Sequence, residues 1–211
     1  NDKRNKNSME FNIPFYSYIS FNTQSLSLYN QQNKTRRRKM IKQIIKLTKQ
    51  ADIVCLQETR INTHDTTILN KHFPKHVILY NNLDNKKGGT VIIIPTRITS
   101  KYRVIVHQPP EIAKGRVQHV HLEPLDNHNL PFNIVNVHLA SNNKTKIAQL
   151  KYITQIPNKA HLFLMGDFNF TDLSKDSPSD ESTLLISGAA KKVWNILVQK
   201  HDLKAIRQPR H

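Results

Sequence analysis

Four short apolar runs, each the length of one strand, stop abruptly at a side chain able to do chemistry. Leu162-Phe163-Leu164-Met165 runs into Gly166-Asp167-Phe168-Asn169, and Ile53-Val54-Cys55-Leu56-Gln57 runs into Glu58. Ile134-Val135-Asn136-Val137 ends at His138, and the alternating, aromatic-rich Phe15-Tyr16-Ser17-Tyr18-Ile19-Ser20-Phe21 ends at Asn22. Runs of this length with turn-type residues behind them read as buried strands. In layered α/β proteins ligand sites gather at such strand ends.

The segments between these runs complete the reading. Thr35 to Gln50 has helical periodicity, with Met40, Ile41, Ile44, Ile45 and Leu47 on one side and Arg36, Arg37, Arg38, Lys42, Lys46 and Lys49 solvating the rest. Thr63–Phe73, Lys144–Ile153 and a segment ending near His201 read as further helices. Val77–Tyr80, Thr90–Ile94, Tyr102–Val106, Arg116–Leu122 and Phe132–Leu139 read as strands. A turn over Leu83 to Gly89 leads into Thr90, and Pro95 stops that strand. Helices and strands interleave around a central run of consecutive strands. The expected fold is a four-layer α/β sandwich, two packed mixed sheets flanked by helices. Residues 1–14 read as a disordered polar lead-in, 15–211 as one domain, and Ser174–Ser182 as a polar loop.

Composition narrows the partners. The net charge is +17, which attracts polyanions, nucleic acid first and an anionic membrane surface second. The longest apolar run, Val91-Ile92-Ile93-Ile94, is strand-sized and too short to span a bilayer. The polar N-terminus has no apolar stretch behind it, which argues against a secretory signal and for an intracellular protein. The single cysteine, Cys55, lies within an apolar run and reads as a small buried hydrophobe, so no disulfide partner and no cysteine-based zinc site are expected.

The residue types at the strand ends suit phosphate-ester chemistry. A carboxylate orients or deprotonates an attacking water, and an amide NH2 donates to a non-bridging phosphate oxygen. One Glu and one Asp with Asn and His among them give hard ligands fit for Mg2+ or Mn2+, with too few soft ligands for zinc. Taken singly, each has a plainer reading: Asn22 as a turn cap, Glu58 as an exposed strand end, His138 as a satisfied core histidine. Their common placement at strand ends favours a site.

Phe21-Asn22, Leu56-Gln57-Glu58-Thr59, Gly88-Gly89-Thr90-Val91, Gly115-Arg116, Asn136-Val137-His138 and Gly166-Asp167-Phe168-Asn169 occur in the order and spacing of the endonuclease/exonuclease/phosphatase superfamily. The resemblance runs from about Phe15 to Arg210. Within the superfamily, Val193-Trp194-Asn195-Ile196-Leu197 through Gln208-Pro209-Arg210-His211 resembles the endonuclease domains of non-LTR retrotransposons, which nick target DNA. The resemblance implies a divalent-metal-dependent phosphodiesterase, DNA as partner and, for a retroelement protein, the nucleus as its place of action.

Carried over residue by residue, Glu58 would hold the metal with Asn22 beside it. Asp167 would orient the nucleophilic water, Asn169 would bind the scissile phosphate, and His138 would stabilise the oxyanion or protonate the leaving group. Two departures stand out. His138 occupies a position where apurinic-type nucleases and most retroelement endonucleases carry Tyr, whereas DNase-like nucleases, deadenylases and sphingomyelinases carry His. The Ser-Asp-His triplet that closes the family pattern has no counterpart: Ser179-Asp180-Glu181 comes too early, His201-Asp202 reverses the order, and His211 is the last residue. The expectation is a domain truncated at its C-terminus, lacking its last strands. Rival readings are a non-catalytic nucleic-acid-binding remnant and a phosphatase or sphingomyelinase of the same superfamily.

Overall fold

A computed structural model describes residues 16–26, 34–61, 63–83, 88–170 and 186–205. The expected polar lead-in, the middle of the Leu83–Gly89 turn, the Ser174–Ser182 loop and the last residues lie outside that set. The elements run β1 (Tyr18–Asn22), α1 (Lys34–Gln50), β2 (Ile53–Gln57), α2 (Thr63–His72), β3 (His76–Asn81), β4 (Thr90–Pro95), α3 (Thr96–Thr99), β5 (Tyr102–His107), a 3-10 turn (Glu111–Ala113), β6 (Val117–Pro124), β7 (Phe132–His138), α4 (Asn143–Thr154), β8 (His161–Asp167) and α5 (Gly188–His201).

Two four-stranded mixed sheets form, ordered β1-β2-β4-β3 and β5-β6-β7-β8. Each contains one parallel pair, β1 with β2 and β7 with β8, and its other pairs are antiparallel. The continuous apolar runs follow from burial on both faces. In β2, Ile53 and Cys55 face the second sheet, while Val54 and Leu56 face α1 and α2. In β7, Phe132 and Ile134 face the first sheet, while Val135 and Val137 pack under α4 and α5. Three apolar layers thus separate four structural ones, as expected. Ile53, Ile92, Ile94 and Ile134 are fully buried, each worth roughly 1.5–3 kcal/mol over an exposed position.

Two amide side chains, Gln57 and Asn136, are paired inside this core. Gln57 Nε2 donates to Asn136 Oδ1 at 2.7 Å across the sheets. Asn136 Nδ2 donates to the carbonyls of Leu56 and Val91, both at 3.0 Å. Cys55 is a buried free thiol whose pKa burial pushes far up. α1, β3, β4, β5, α4 and β8 extend a residue or two beyond their sequence-based limits, β1, α2 and β7 stop short of theirs, and α3 and the 3-10 turn are additions. Pro95 ends β4 and caps α3 in extended conformation, where a missing N–H costs nothing. His201 is the final residue of α5, followed by Asp202 in the left-handed region at φ 47.

Candidate active site

β1, β2, β7 and β8 carry their C-terminal ends to one rim of the sandwich, and the sequence places a polar side chain at each. Two backbone devices fix them. Gly166, at φ 137, lets β8 approach β7 so closely that a Cβ there would lie 1.9 Å from Val137 O. Glu58 and Arg60 take left-handed conformations at φ 52 and 49, a turn pinned by Thr59 N and Arg60 N donating to the Gly89 and Gly88 carbonyls, each at 3.1 Å. Gly89 is itself required: a Cβ would meet Thr59 Oγ1 at 2.5 Å.

Asn22 joins the two sheets. Its Nδ2 donates to Glu58 Oε1 at 3.2 Å and to Asp167 Oδ2 at 3.3 Å, and its Oδ1 accepts from Gln24 N at 3.0 Å. The other oxygen of Glu58, Oε2, accepts from Arg60 Nη2 at 2.8 Å. Burial works to raise the Glu58 pKa, but Asn22, His138 and Arg60 outweigh it, and the net shift is downward. Glu58 is therefore held as a carboxylate.

His138 lies with Nε2 3.3 Å from Glu58 Oε1 and Nδ1 2.9 Å from Arg116 Nη1. A guanidinium only donates, so Nδ1 must accept and the ring proton sits on Nε2. Burial and then Arg116 lower the His138 pKa, against an opposing pull from Glu58 and Asp167. The contact with Glu58 is thus a hydrogen bond from a neutral imidazole.

Asp167 Oδ1 accepts from Asn169 N at 3.0 Å. Asn169 occupies the left-handed region at φ 50, and its Nδ2 donates to Leu139 O at 2.6 Å. One hydrogen of that amide is committed to the backbone, and one is left for a ligand. Glu58, Asp167 and His138 each offer a ligand atom within 4.8 Å of the others. Two carboxylates aimed at one point and bridged by the Asn22 amide fit a hard divalent cation. A cavity of about 320 Å3 opens beside them, lined by Glu58, Arg60, Arg116, His138, Asn142 and Asn169.

Asn22, Glu58, His138, Asp167 and Asn169 therefore share one rim. Sequence reasoning gave no role to Arg60, Arg116 or Asn142, although Gly115-Arg116 was among the quoted motifs. Arg116 reaches the site because its carbonyl accepts from His138 N at 2.7 Å beside the β6–β7 ladder, a register the sequence does not display. Asn142 lines the cavity while its side chain caps α4, accepting from Thr145 N at 2.9 Å.

Residues 19–203 match the endonuclease/exonuclease/phosphatase family, and the chain belongs to that family. No curated protein sequence matches it. Among solved structures it resembles the AP endonuclease LMAP from Leishmania major, at 15% identity and TM-score 0.64, covering 88% of this chain and 66% of that one. It also resembles D. rerio TDP2 complexed with a single-strand DNA product, at 20% identity and TM-score 0.51, over 74% of this chain and 61% of that one. A third is ANGEL2, a 2',3'-cyclic phosphatase, in complex with adenosine-2',3'-vanadate, at 19% identity and TM-score 0.52, over 75% and 55%. The chain spans about two thirds or less of the length of these structures. At such identities the likeness establishes the fold. Among the described residues no helix is long and apolar enough to cross a membrane.

Proposed function

We propose that the chain is a divalent-metal-dependent phosphodiesterase acting on DNA, an endonuclease of the retroelement kind. The observation that carries this reading is the meeting of Glu58 and Asp167 from opposite sheets on one Asn22 amide, with His138 and two guanidiniums at the adjoining cavity. Glu58 and Asp167 would hold Mg2+ or Mn2+, with Asn22 as their bridge. A bound ion supplies neutralisation of charge on the phosphate.

The side chains divide the rest of the work. Asp167, fixed through Oδ1 by the Asn169 amide, orients a water for in-line attack. Asn169 offers its free amide hydrogen to a phosphate oxygen. His138 would shift its Nε2–H from Glu58 Oε1 to the developing oxyanion, and Arg116 holds that tautomer in place while adding positive charge. The +17 charge supports a nucleic-acid substrate, bound through phosphates with an affinity that falls steeply as salt rises. The tryptophan-bearing segment of α5 supports the retroelement branch, for which the nucleus is the working compartment. His138, in place of the Tyr of that branch, favours a second reading, a phosphatase-like member.

Nicking of supercoiled plasmid in Mg2+ by the natural gene product, with Glu58→Ala as control, tests the proposal. Metal-dependent nicking lost in the variant supports it. DNA binding without nicking would leave the non-catalytic remnant, and hydrolysis of small phosphate esters with intact plasmid would select the phosphatase reading.

A further inference from the structure

Lys146 stands on α4, in a first turn that also carries Lys144, yet it is only 2% exposed. A lysine at such a position would ordinarily extend its ammonium to water. Here Nζ turns inward and donates to Asn169 O at 2.8 Å, and it lies 5.6 Å from the centre of the Phe170 ring. Burial lowers its pKa and the Asp167 carboxylate pulls it back up. Enclosing an ammonium is costly unless its contacts repay the lost hydration. One carbonyl bond and a ring face are modest repayment for a purely structural role, which a methionine would fill without that cost.

The contacts show what the charge is for. Asn169 is the residue whose left-handed turn aims both the amide that braces Asp167 and the side chain that lines the cavity. It is tied at three atoms: its N–H to Asp167 Oδ1, its Nδ2 to Leu139 O, and its C=O to Lys146 Nζ. The first bond lies within the Asp167–Asn169 segment, and the second reaches the end of β7. Lys146 supplies the tie from the helix layer, so that the turn is held from outside the sheet as well.

We propose that Lys146 is a positioning residue for the active site: it fixes the Asp167–Asn169 turn through the Asn169 carbonyl and so sets the direction of the Asp167 carboxylate. The proposal rests on the phosphodiesterase reading for its kinetic consequence, but its structural consequence is measurable without activity.

The experiment compares Lys146→Met, which keeps length and loses charge and donor, with Lys146→Arg, which keeps both. In native-state hydrogen exchange, the Asn169 amide of Lys146→Met is expected to exchange at least about tenfold faster, while the β7 amides keep their wild-type protection. Lys146→Arg is expected to restore most of that protection. In plasmid nicking, Lys146→Met is expected to lower kcat by about 10–100-fold with little change in KM, as misaligned reacting groups do. Unchanged exchange at Asn169 in Lys146→Met would overturn the proposal, as would faster exchange spread equally over β7, which marks a packing role. If the wild type does not nick plasmid, the functional reading falls, while the exchange result still decides the role of Lys146.

Discussion

The central strands β2 and β7 differ sharply from the outer strands β1 and β8. Every residue of β2 and β7 is buried, whereas no residue of β1 or β8 is. Among the described residues β1 and β8 each pair with one strand, β2 and β7 with two. The site draws equally on both kinds: Glu58 and His138 follow or end central strands, while Asn22 and Asp167 end outer ones. Half of the constellation therefore inherits its precision from a packed core. The other half depends on specific ties: the Gly166 contact, the Asn22 bridge and the Asn169 turn. Stability is expected to rest on the packed centre and, at the margin, on the Gly166 contact, while chemistry is shared between the two.

The harshest way to break that division is Gly166→Ala. If the outer strand were loosely hung, β8 would shift to accept a methyl group. With Val137 O 1.9 Å from the new Cβ and φ at 137, the substitution is expected to cost more than about 4 kcal/mol, read as loss of a folded product or a collapsed urea midpoint. Asn136→Leu tests the centre directly. It removes three hydrogen bonds: Gln57 Nε2 keeps only Ser20 Oγ and the Cys55 carbonyl, and the buried carbonyls of Leu56 and Val91 lose a donor, at an expected cost of about 3 kcal/mol in urea unfolding.

Acid sharpens the same contrast. His119, buried in β6, has its pKa lowered to about 4, chiefly by burial, with a hydrogen bond to Asn133 opposing. An unfolded histidine takes its proton near pH 6.5, so stability is expected to hold above that value and to fall as pH drops from 6.5 towards 4. Thermal melting across that window is expected to show a loss on the order of 2 kcal/mol that His119→Gln largely removes. His138, lowered as well, adds to the slope with the same sign.

The smallest effect on stability is expected from Asn22→Ala on β1. Its bonds are long and partly exposed, so unfolding should change by less than about 1 kcal/mol. Mg2+-dependent nicking should nevertheless drop at least about tenfold, because two facing carboxylates lose their bridge. A large destabilisation with normal nicking would reverse the division between centre and margin.

Much of this architecture was legible because burial on both faces writes itself as an unbroken apolar run. Ile53–Leu56 and Val91–Ile94 show it, and they were placed to within a residue or two. The five proposed site residues were legible as polar residues at the ends of such runs. What stayed hidden depends on register and layer order. Arg116 meets His138 only through the β6–β7 pairing, and Gln57 meets Asn136 only across the sheets. Lys146 has the local sequence of a solvated helix start, since nothing in Asn143-Lys144-Thr145-Lys146 tells which lysine turns inward. The short α3 was hidden for another reason: four residues carry no periodicity to read.

The parallel pairing at the rim carries a last consequence. Each sheet contributes two adjacent strand ends, Asn22 beside Glu58 in one and His138 beside Asp167 in the other. Glu58 lies opposite His138, and Asn22 lies opposite Asp167. The four side chains thus form a checkerboard in which anionic squares touch only neutral ones along every edge. The two carboxylates occupy a diagonal, and the Asn22 amide, which donates to both, ties them along two edges of the board. Such an arrangement ties the offset of one sheet against the other to the charge pattern itself: sliding either sheet by a single residue, about 3.3 Å, would put like beside like or empty a square.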